Sequence, residues 1–424
     1  MKLNQMCLLF CLLFIGNIKL YAQECDECYP ESCFWLSSEY IGWTIKDNPL
    51  PIPLITTASF DDPIPGAIGQ PGSHVVLGNK DISMEWQNGF QILSGMWLNE
   101  QKNIGLEGSY FLLPTTTKDQ SLSTTGLPGS INYAVPIFDV TGVFGLNGIP
   151  GETIFILPGP LFGGPGFQGI FNLKLSSKFQ GAEINGLLHI AEWNNVQLEG
   201  LAGFRWLQLE ESLTFTGLTQ SVPGLPFPGF YNFEDQFKTS NNFYGGQVGL
   251  RTRFLWRDFN FMAAAKTGLG VMGERVAISG VSQTSGGNLF FSTSGTAQTI
   301  LPGGIFAQLT NIGIHNKQEM TALFETSLRG SYTVSNNIEI SIGYNFLWVS
   351  HVARPGDQID RKINPTLTAL ANASRDTVGT GPGPIPFGVP GAAPAASGPG
   401  NPREVFKTTD FWAQGLTIGL TFKY

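Results

Sequence analysis

Along most of this chain apolar residues recur at every second position, the period of a strand with one apolar face. Ile338, Ile340, Ile342, Tyr344, Phe346 and Trp348 share one parity, with Glu339, Ser341, Gly343 and Asn345 between them. Segment 412–424 repeats this with Trp412, Leu416, Ile418, Leu420, Phe422 and Tyr424 against Ala413, Gly415, Thr417, Gly419, Thr421 and Lys423. The pattern predicts ten strands: 33–46, 84–98, 104–113, 172–189, 196–213, 234–256, 258–279, 320–334, 338–351 and 409–424. Several run past twelve residues, against the roughly 5–6 common in soluble sheets. A tilted strand needs about 9–11 residues to cross a bilayer. The connections alternate between short (99–103, 191–195, 257–258, 335–337) and long (47–83, 114–171, 214–233, 280–319, 352–408). That asymmetry is the one expected of short periplasmic turns and long external loops. The fold predicted is all-β, an antiparallel transmembrane β-barrel of about 10 (10–14) strands, closed because no unpaired backbone is tolerated in hydrocarbon.

The ends and loops add organisation. Lys2, the apolar run Met6–Ile15 and Ala22 read as a secretory signal peptide over 1–22, followed by a Cys-containing segment 23–32 and a barrel over 33–424. Cys25, Cys28 and Cys33 are disulfide candidates in an oxidising compartment; a zinc site would need a second ligand pair. Segment 379–402 is nearly low-complexity Gly and Pro, an irregular external loop. Segment 124–169 carries Phe138, Phe144, Phe155 and Phe162 and is a candidate to fold inward or cover the barrel mouth.

Composition narrows the class. Only 13% of the 424 residues are charged and the net charge is −8, without the basic surplus of a nucleic-acid binder. No run of about 20 apolar residues suggests a membrane helix. Gly164–Gly169 matches G-x-G-x-x-G by spacing but has Pro165 at its second position and no strand-to-helix context. The four His residues (74, 189, 315, 351) show no metal spacing, and Ser350-His351 lacks a nucleophile-elbow pattern. Asp61-Asp62 reads as a solvated loop turn. No catalytic residue, metal or cofactor is expected, so the chain is not read as an enzyme.

The informative charges lie on the polar parity of strands: Glu107, Glu183, Glu199, Arg205, Arg251, Arg253, Lys266, Glu325, Arg329 and Glu339. A central Arg or Lys facing lipid costs about 2–4 kcal/mol, so these are expected to face the lumen, as pore lining or as a structural network leaving a narrow or gated pore. Aromatics such as Trp43, Trp97, Trp206, Tyr244, Trp256, Tyr332, Trp348 and Trp412 cluster toward strand ends, where membrane interfaces are expected.

A resemblance follows from particular motifs. Trp35…Glu39-Tyr40-Ile41-Gly42-Trp43 with Pro49-Leu50-Pro51, then Gly95-Met96-Trp97-Leu98, Gly105-Leu106-Glu107-Gly108, Leu201-Ala202-Gly203-Phe204-Arg205-Trp206 and Phe411-Trp412-Ala413-Gln414-Gly415-Leu416 resemble the putative beta-barrel porin seven family of bacterial outer-membrane proteins. The resemblance implies an outer-membrane barrel in a Gram-negative-type envelope. It points to a porin-like channel for passive diffusion of small hydrophilic solutes; the alternative is a closed structural or surface-interaction barrel acting through its external loops. Expected partners are the lipid bilayer and the outer-membrane assembly machinery, for which Phe422 and Tyr424 form the terminal aromatic signal. Oligomeric state, solute and disulfide pairing are left open.

Overall fold

In the computed structural model the described residues are 34–145, 148–225, 229–285, 299–381 and 391–424. The signal-peptide reading and the disulfide candidates Cys25, Cys28 and Cys33 lie outside them. Ten long strands form the wall: β1 (Phe34–Ile45), β2 (Trp86–Trp97), β3 (Ile104–Thr124), β4 (Gly164–Trp193), β5 (Val196–Ser221), β6 (Phe230–Trp256), β7 (Phe259–Ser285), β8 (Gly313–Ser335), β9 (Ile338–Ala353) and β10 (Thr408–Lys423). Each pairs antiparallel with its sequence neighbours, and β10 pairs with β1, which closes the ring. The expected barrel is thus borne out. Register at the seam runs from Trp35↔Lys423 to Ile45↔Ala413. Beyond it, Phe34 N–H donates to Tyr424 O (2.9 Å) and Tyr424 N–H to Phe34 O (2.8 Å).

The short turns are as tight as their residues allow. Only Asn194-Asn195 separates the paired Trp193 and Val196, and only Arg257-Asp258 separates Trp256 and Phe259. Asn194 takes φ 50°, a left-handed conformation that Asn adopts more readily than most residues. On the outer wall Gly42 is obligatory, since a Cβ there would lie 2.2 Å from the Trp86 ring that covers it.

Several strands extend further than the sequence pattern predicts, mostly toward the long loops; β4 also runs on to Trp193, which narrows the short turn read as 191–195 to Asn194-Asn195. β3, predicted to end at 113, runs to Thr124; β4 begins at Gly164 rather than 172; β5 and β7 run on to Ser221 and Ser285; β6 and β8 begin at Phe230 and Gly313. Segments read as loops within 114–171, 214–233 and 280–319 are therefore partly wall. The physical reason is an inversion of the alternation. On β5 the outward residues are Ala202, Phe204 and Trp206, then Gln208, Glu210, Ser212 and Thr214. The inward ones are Glu199 and Arg205, then Leu207, Leu209, Leu213 and Phe215, all buried. The lower wall faces lipid and is polar inside; the upper wall faces water and is apolar inside. In the lower wall Phe204, Val248 and Ile342 are 49%, 58% and 58% exposed on the outside, whereas Arg205 and Arg251 are 4% and 6% exposed. The boundary is a row of directly opposed outward residues, Tyr110, Ala182, Trp206, Tyr244, Val271 and Met320. Tyr and Trp there match the preference of amphipathic rings for the interface.

The long connections build a cap. Strands 53–57, 75–78, 133–139, 151–156 and 362–363 form a small five-stranded sheet. Beside it α1 (Ala369–Val378) starts where the Thr368 side chain accepts from Ala371 N–H and stops at Gly379, φ 92°. Phe144 and Phe155 of segment 124–169 are buried in this cap, while Phe162 is exposed. Ile55, Val135, Ile154, Phe155, Ile363 and Leu370 form one continuous core with the inward Phe171, Phe215 and Phe233 of the upper wall.

Removing Leu420–Tyr424 deletes the seam partners of Phe34–Ser38, leaving backbone groups unpaired in hydrocarbon at several kcal/mol each. The truncated chain is expected to fail to fold in the outer membrane. Heat-modifiable gel migration reports the closed ring; an unchanged shift in the truncated chain contradicts the seam.

Candidate functional site

The lower lumen is crossed by charge. Arg251 on β6 pairs with Glu107 on β3 and lies 3.4 Å from Glu199 on β5, which Arg253 approaches to 3.2 Å. Arg205 on β5 pairs with Glu325 on β8 and lies 3.3 Å from Glu183 on β4. Lys266 on β7 reaches Glu183 at 2.7 Å and Glu325 at 2.8 Å. Arg329 on β8 pairs with Glu39 on β1, and Lys423 with Glu339 beside the seam. The Arg251–Glu107, Arg205–Glu325, Lys266–Glu183 and Arg329–Glu39 pairs each join strands three places apart in the ring, so they span the lumen rather than run along the wall. The structure thus brings all ten sequence-selected charges into ion pairs and adds Glu39 and Lys423, giving six acids against six bases. Gln247 Nε2 donates to both Glu183 Oε2 and Asn185 Oδ1 at 2.7 Å. Inward glycines make the room: a Cβ at Gly249 would meet Lys266 Cγ at 2.7 Å, and one at Gly419 would meet Glu39 Cγ at 2.9 Å.

Directly above this layer lies an aromatic floor. Trp43, Phe111, Phe179 and Phe411 follow one another with ring centroids 5.3, 5.1 and 5.1 Å apart. Phe179 on β4 and Phe411 on β10 come from walls four places apart, so the chain of rings bridges the interior. The Arg354 guanidinium stacks on Phe411 at 5.4 Å. It grips Glu211 of β5 through Nε to Oε2 (2.5 Å) and Nη2 to Oε1 (3.0 Å), and donates to Lys46 O (3.2 Å). Both side chains of this pair are 0% exposed.

Higher still, Asp235 on the inner face of β6 fastens the 301–312 connection. Its carboxylate accepts from the backbone N–H of Ile305, Phe306 and Ala307 at 3.0–3.1 Å. This carboxyl is above the lipid-facing band, and burial pushes it up to about 7 against those three donors. Glu274, also above the band, is buried with neither carboxylate oxygen partnered. Burial and then nearby Glu319 push it up to about 7, so it holds its proton in mildly acidic solution and loses it around neutrality.

Sequence parity could have found Glu211, Asp235, Glu39 and Lys423, which share the inward face of their strands. Nothing periodic marks Arg354, which follows the end of β9. The other candidate chemistry does not assemble. His351 Nδ1 lies 3.0 Å from its neighbour Ser350 Oγ, but Asp357 pairs with Lys407 (2.9 Å) and Asp360 accepts from Lys362 and Arg403 N–H. Among the described residues no group of His, Cys, Asp and Glu is placed to hold a metal ion. Phe422 and Tyr424 stand outward at the seam, 47% and 80% exposed.

A sequence model of the family described as putative beta barrel porin-7 matches residues 35–424. No curated protein matches. Among solved structures, the outer membrane protease OmpT from Escherichia coli is similar over 95% of this chain and 99% of its own, at 9% identity and TM-score 0.40. A Pseudomonas aeruginosa FadL homologue matches over 93% and 90%, at 7% identity and TM-score 0.22. The toluene transporter TodX of P. putida matches over 92% and 90%, at 7% identity and TM-score 0.17. These likenesses are too distant to carry a function.

Breaking one partner of a buried pair leaves an uncompensated charge, at a cost of about 3–5 kcal/mol. Arg251→Met is expected to destabilise the barrel by that amount in urea titrations of reversible folding into vesicles, and adding Glu107→Leu to recover part of the loss. A second expectation concerns pH. Glu274 is raised above its unfolded value, so between about pH 4.5 and 7 the folded state holds a proton that the unfolded chain releases. Its contribution is therefore full at the acid end and lost as pH rises through about 7; Glu274→Gln flattens this part of the stability profile.

Proposed function

The chain belongs to the putative beta barrel porin-7 family, and from that premise we propose a closed, non-enzymatic barrel of the bacterial outer membrane that acts through its external cap. The observation that supports it best is the Arg354–Glu211 pair, wholly buried in the middle of the lumen and seated on the aromatic floor. Closure here rests on two layers of different chemistry. Six acids and six bases neutralise one another across the membrane-embedded lumen. Above them Trp43, Phe111, Phe179 and Phe411 form a chain of rings that bridges the interior, inward Leu207, Leu209, Phe243, Leu323 and Leu347 belong to the same core, and the cap is continuous with it.

A porin-like channel for passive diffusion of small hydrophilic solutes is the second reading. The charged lower lumen favours it, since such a lining is wettable once the layers above it move. Planar-bilayer recording separates the two. Purified protein is expected to show no steady open conductance, and Arg354→Ala, which frees Glu211 and unseats the floor, to produce brief openings. Large, long-lived conductance from the unmodified protein contradicts the closed reading and supports the channel.

A further inference from the structure

The outer wall above the interface carries an unexplained set of cations. Reading upward from the Ala182–Trp206–Tyr244–Val271 row, the next opposed row is the amide set Gln180, Gln208 and Asn242 with Gly273. The row above it is Lys178, Glu210, Ser240 and Arg275, and the next is Ser176, Ser212, Lys238 and Ala277. These two rows line a depression of about 420 Å³ on the outside of β4–β7. Lys238 and Arg275 are exposed, Lys178 partly so, and all three point away from the lumen.

Two features distinguish this patch from an ordinary solvated wall. Among the described residues no ion pair joins Lys178, Lys238 or Arg275 to a carboxylate, although Glu210 stands in the same row. At the rim Lys46 is paired with Asp410 at 2.7 Å and Lys118 with Glu85, whereas Lys174, four residues further up β4, also stands outward without an ion pair among the described residues, so the unpaired cations extend upward from the depression. The surplus also runs against a chain with 24 basic and 32 acidic residues. The height is equally specific. The cations stand four to six residues along the strand above the interface aromatics, on the same wall that contacts acyl chains below. Strands about 4.8 Å apart put Lys178 and Arg275 roughly 14 Å from each other, with Lys238 between them. Long side chains reach inward from those positions onto one headgroup, and the Ser176, Ser212 and Ser240 hydroxyls add neutral donors.

We infer that this depression binds the phosphorylated headgroup of an outer-leaflet lipid whose acyl chains lie on the apolar wall beneath, with Lys178, Lys238 and Arg275 contacting its phosphate oxygens. Continuity with the lipid-facing band argues for a lipid over free phosphate, because the acyl chains hold the headgroup at this height. Glu210 sets the orientation by repelling phosphate from the middle of the lower row.

The test uses full-length protein in neutral detergent. Native mass spectrometry counts retained phosphatidic acid, with diacylglycerol as the headgroup-free arm and inorganic phosphate as the chain-free arm. Expected is retention of phosphatidic acid by the unmodified protein, weakened at least about tenfold in the triple variant Lys178→Gln/Lys238→Gln/Arg275→Gln, each charge near an anionic headgroup being worth about a factor of five. Lys80→Gln/Lys362→Gln, which removes charge elsewhere, is expected to bind as the unmodified protein does. The heat-modifiable shift shows that every variant remains a closed barrel. Equal binding by the triple variant, equal retention of diacylglycerol, or displacement of the lipid by inorganic phosphate at similar concentration each overturns the inference.

Discussion

Hydrocarbon offers no hydrogen-bond partner and no solvation for charge, and the whole architecture answers that one constraint. For the backbone the answer is the ring: β10 returns to β1, so no edge faces lipid. For side chains the answer is the lumen, where the charges selected by parity meet their opposites, four pairs across the interior and others between neighbouring strands. Because the side-chain period is two, the same register serves both demands. A one-residue slip on β5 would turn Arg205 and Glu199 into lipid and Phe204 into the lumen, so the ion pairs also lock the strand pairing. Glycines at 249 and 419 belong to this logic as much as the charges do, since they supply the space into which Lys266 and Glu39 extend.

Much of this was legible in the sequence because the lower wall obeys one rule. Ten strands, their turns, the interior charges and the alternation of short and long connections all follow from period two and the cost of charge in lipid. The upper wall was misread for a physical reason. There the outside meets water, so Lys174, Glu210 and Lys238 replace apolar residues on the outward face, while Leu, Phe and Tyr move inward. Read with the lower wall's rule, the strand ends where the pattern breaks. Read as an inversion, residues such as Phe171, Phe215 and Phe233 continue the same strand with its faces exchanged. The cap had no such signal. Its strands are short, and what joins them to the barrel is a set of individual contacts, Arg354 with Glu211 and Asp235 with the 305–307 backbone, between segments far apart in the chain.

The two storeys differ in what holds them. In the lower one a paired network leaves little apolar burial inside, and stability rests on backbone pairing and on lipid outside. The upper one is a soluble-protein core turned inside a strand cylinder, with Phe237, Phe243, Phe306 and Leu370 fully buried. The aromatic floor is where one regime gives way to the other. Glu211 and Arg354 lie just above it, where both charges are paired and neither meets water or lipid.

The cross-lumen pairs also have a bearing on how such a chain can acquire its structure. Glu39 and Arg329 are 290 residues apart, Glu107 and Arg251 144, and Ser37 and Thr421, hydrogen-bonded beneath the seam, 384. None of these contacts is available to a partly synthesised or partly curled sheet. A half-formed wall would carry its acids and bases uncompensated, so each added strand gains little until the opposite wall arrives. Folding is therefore dominated by distant contacts and concentrated into one late, cooperative event, in which closing the seam and neutralising the interior are the same step.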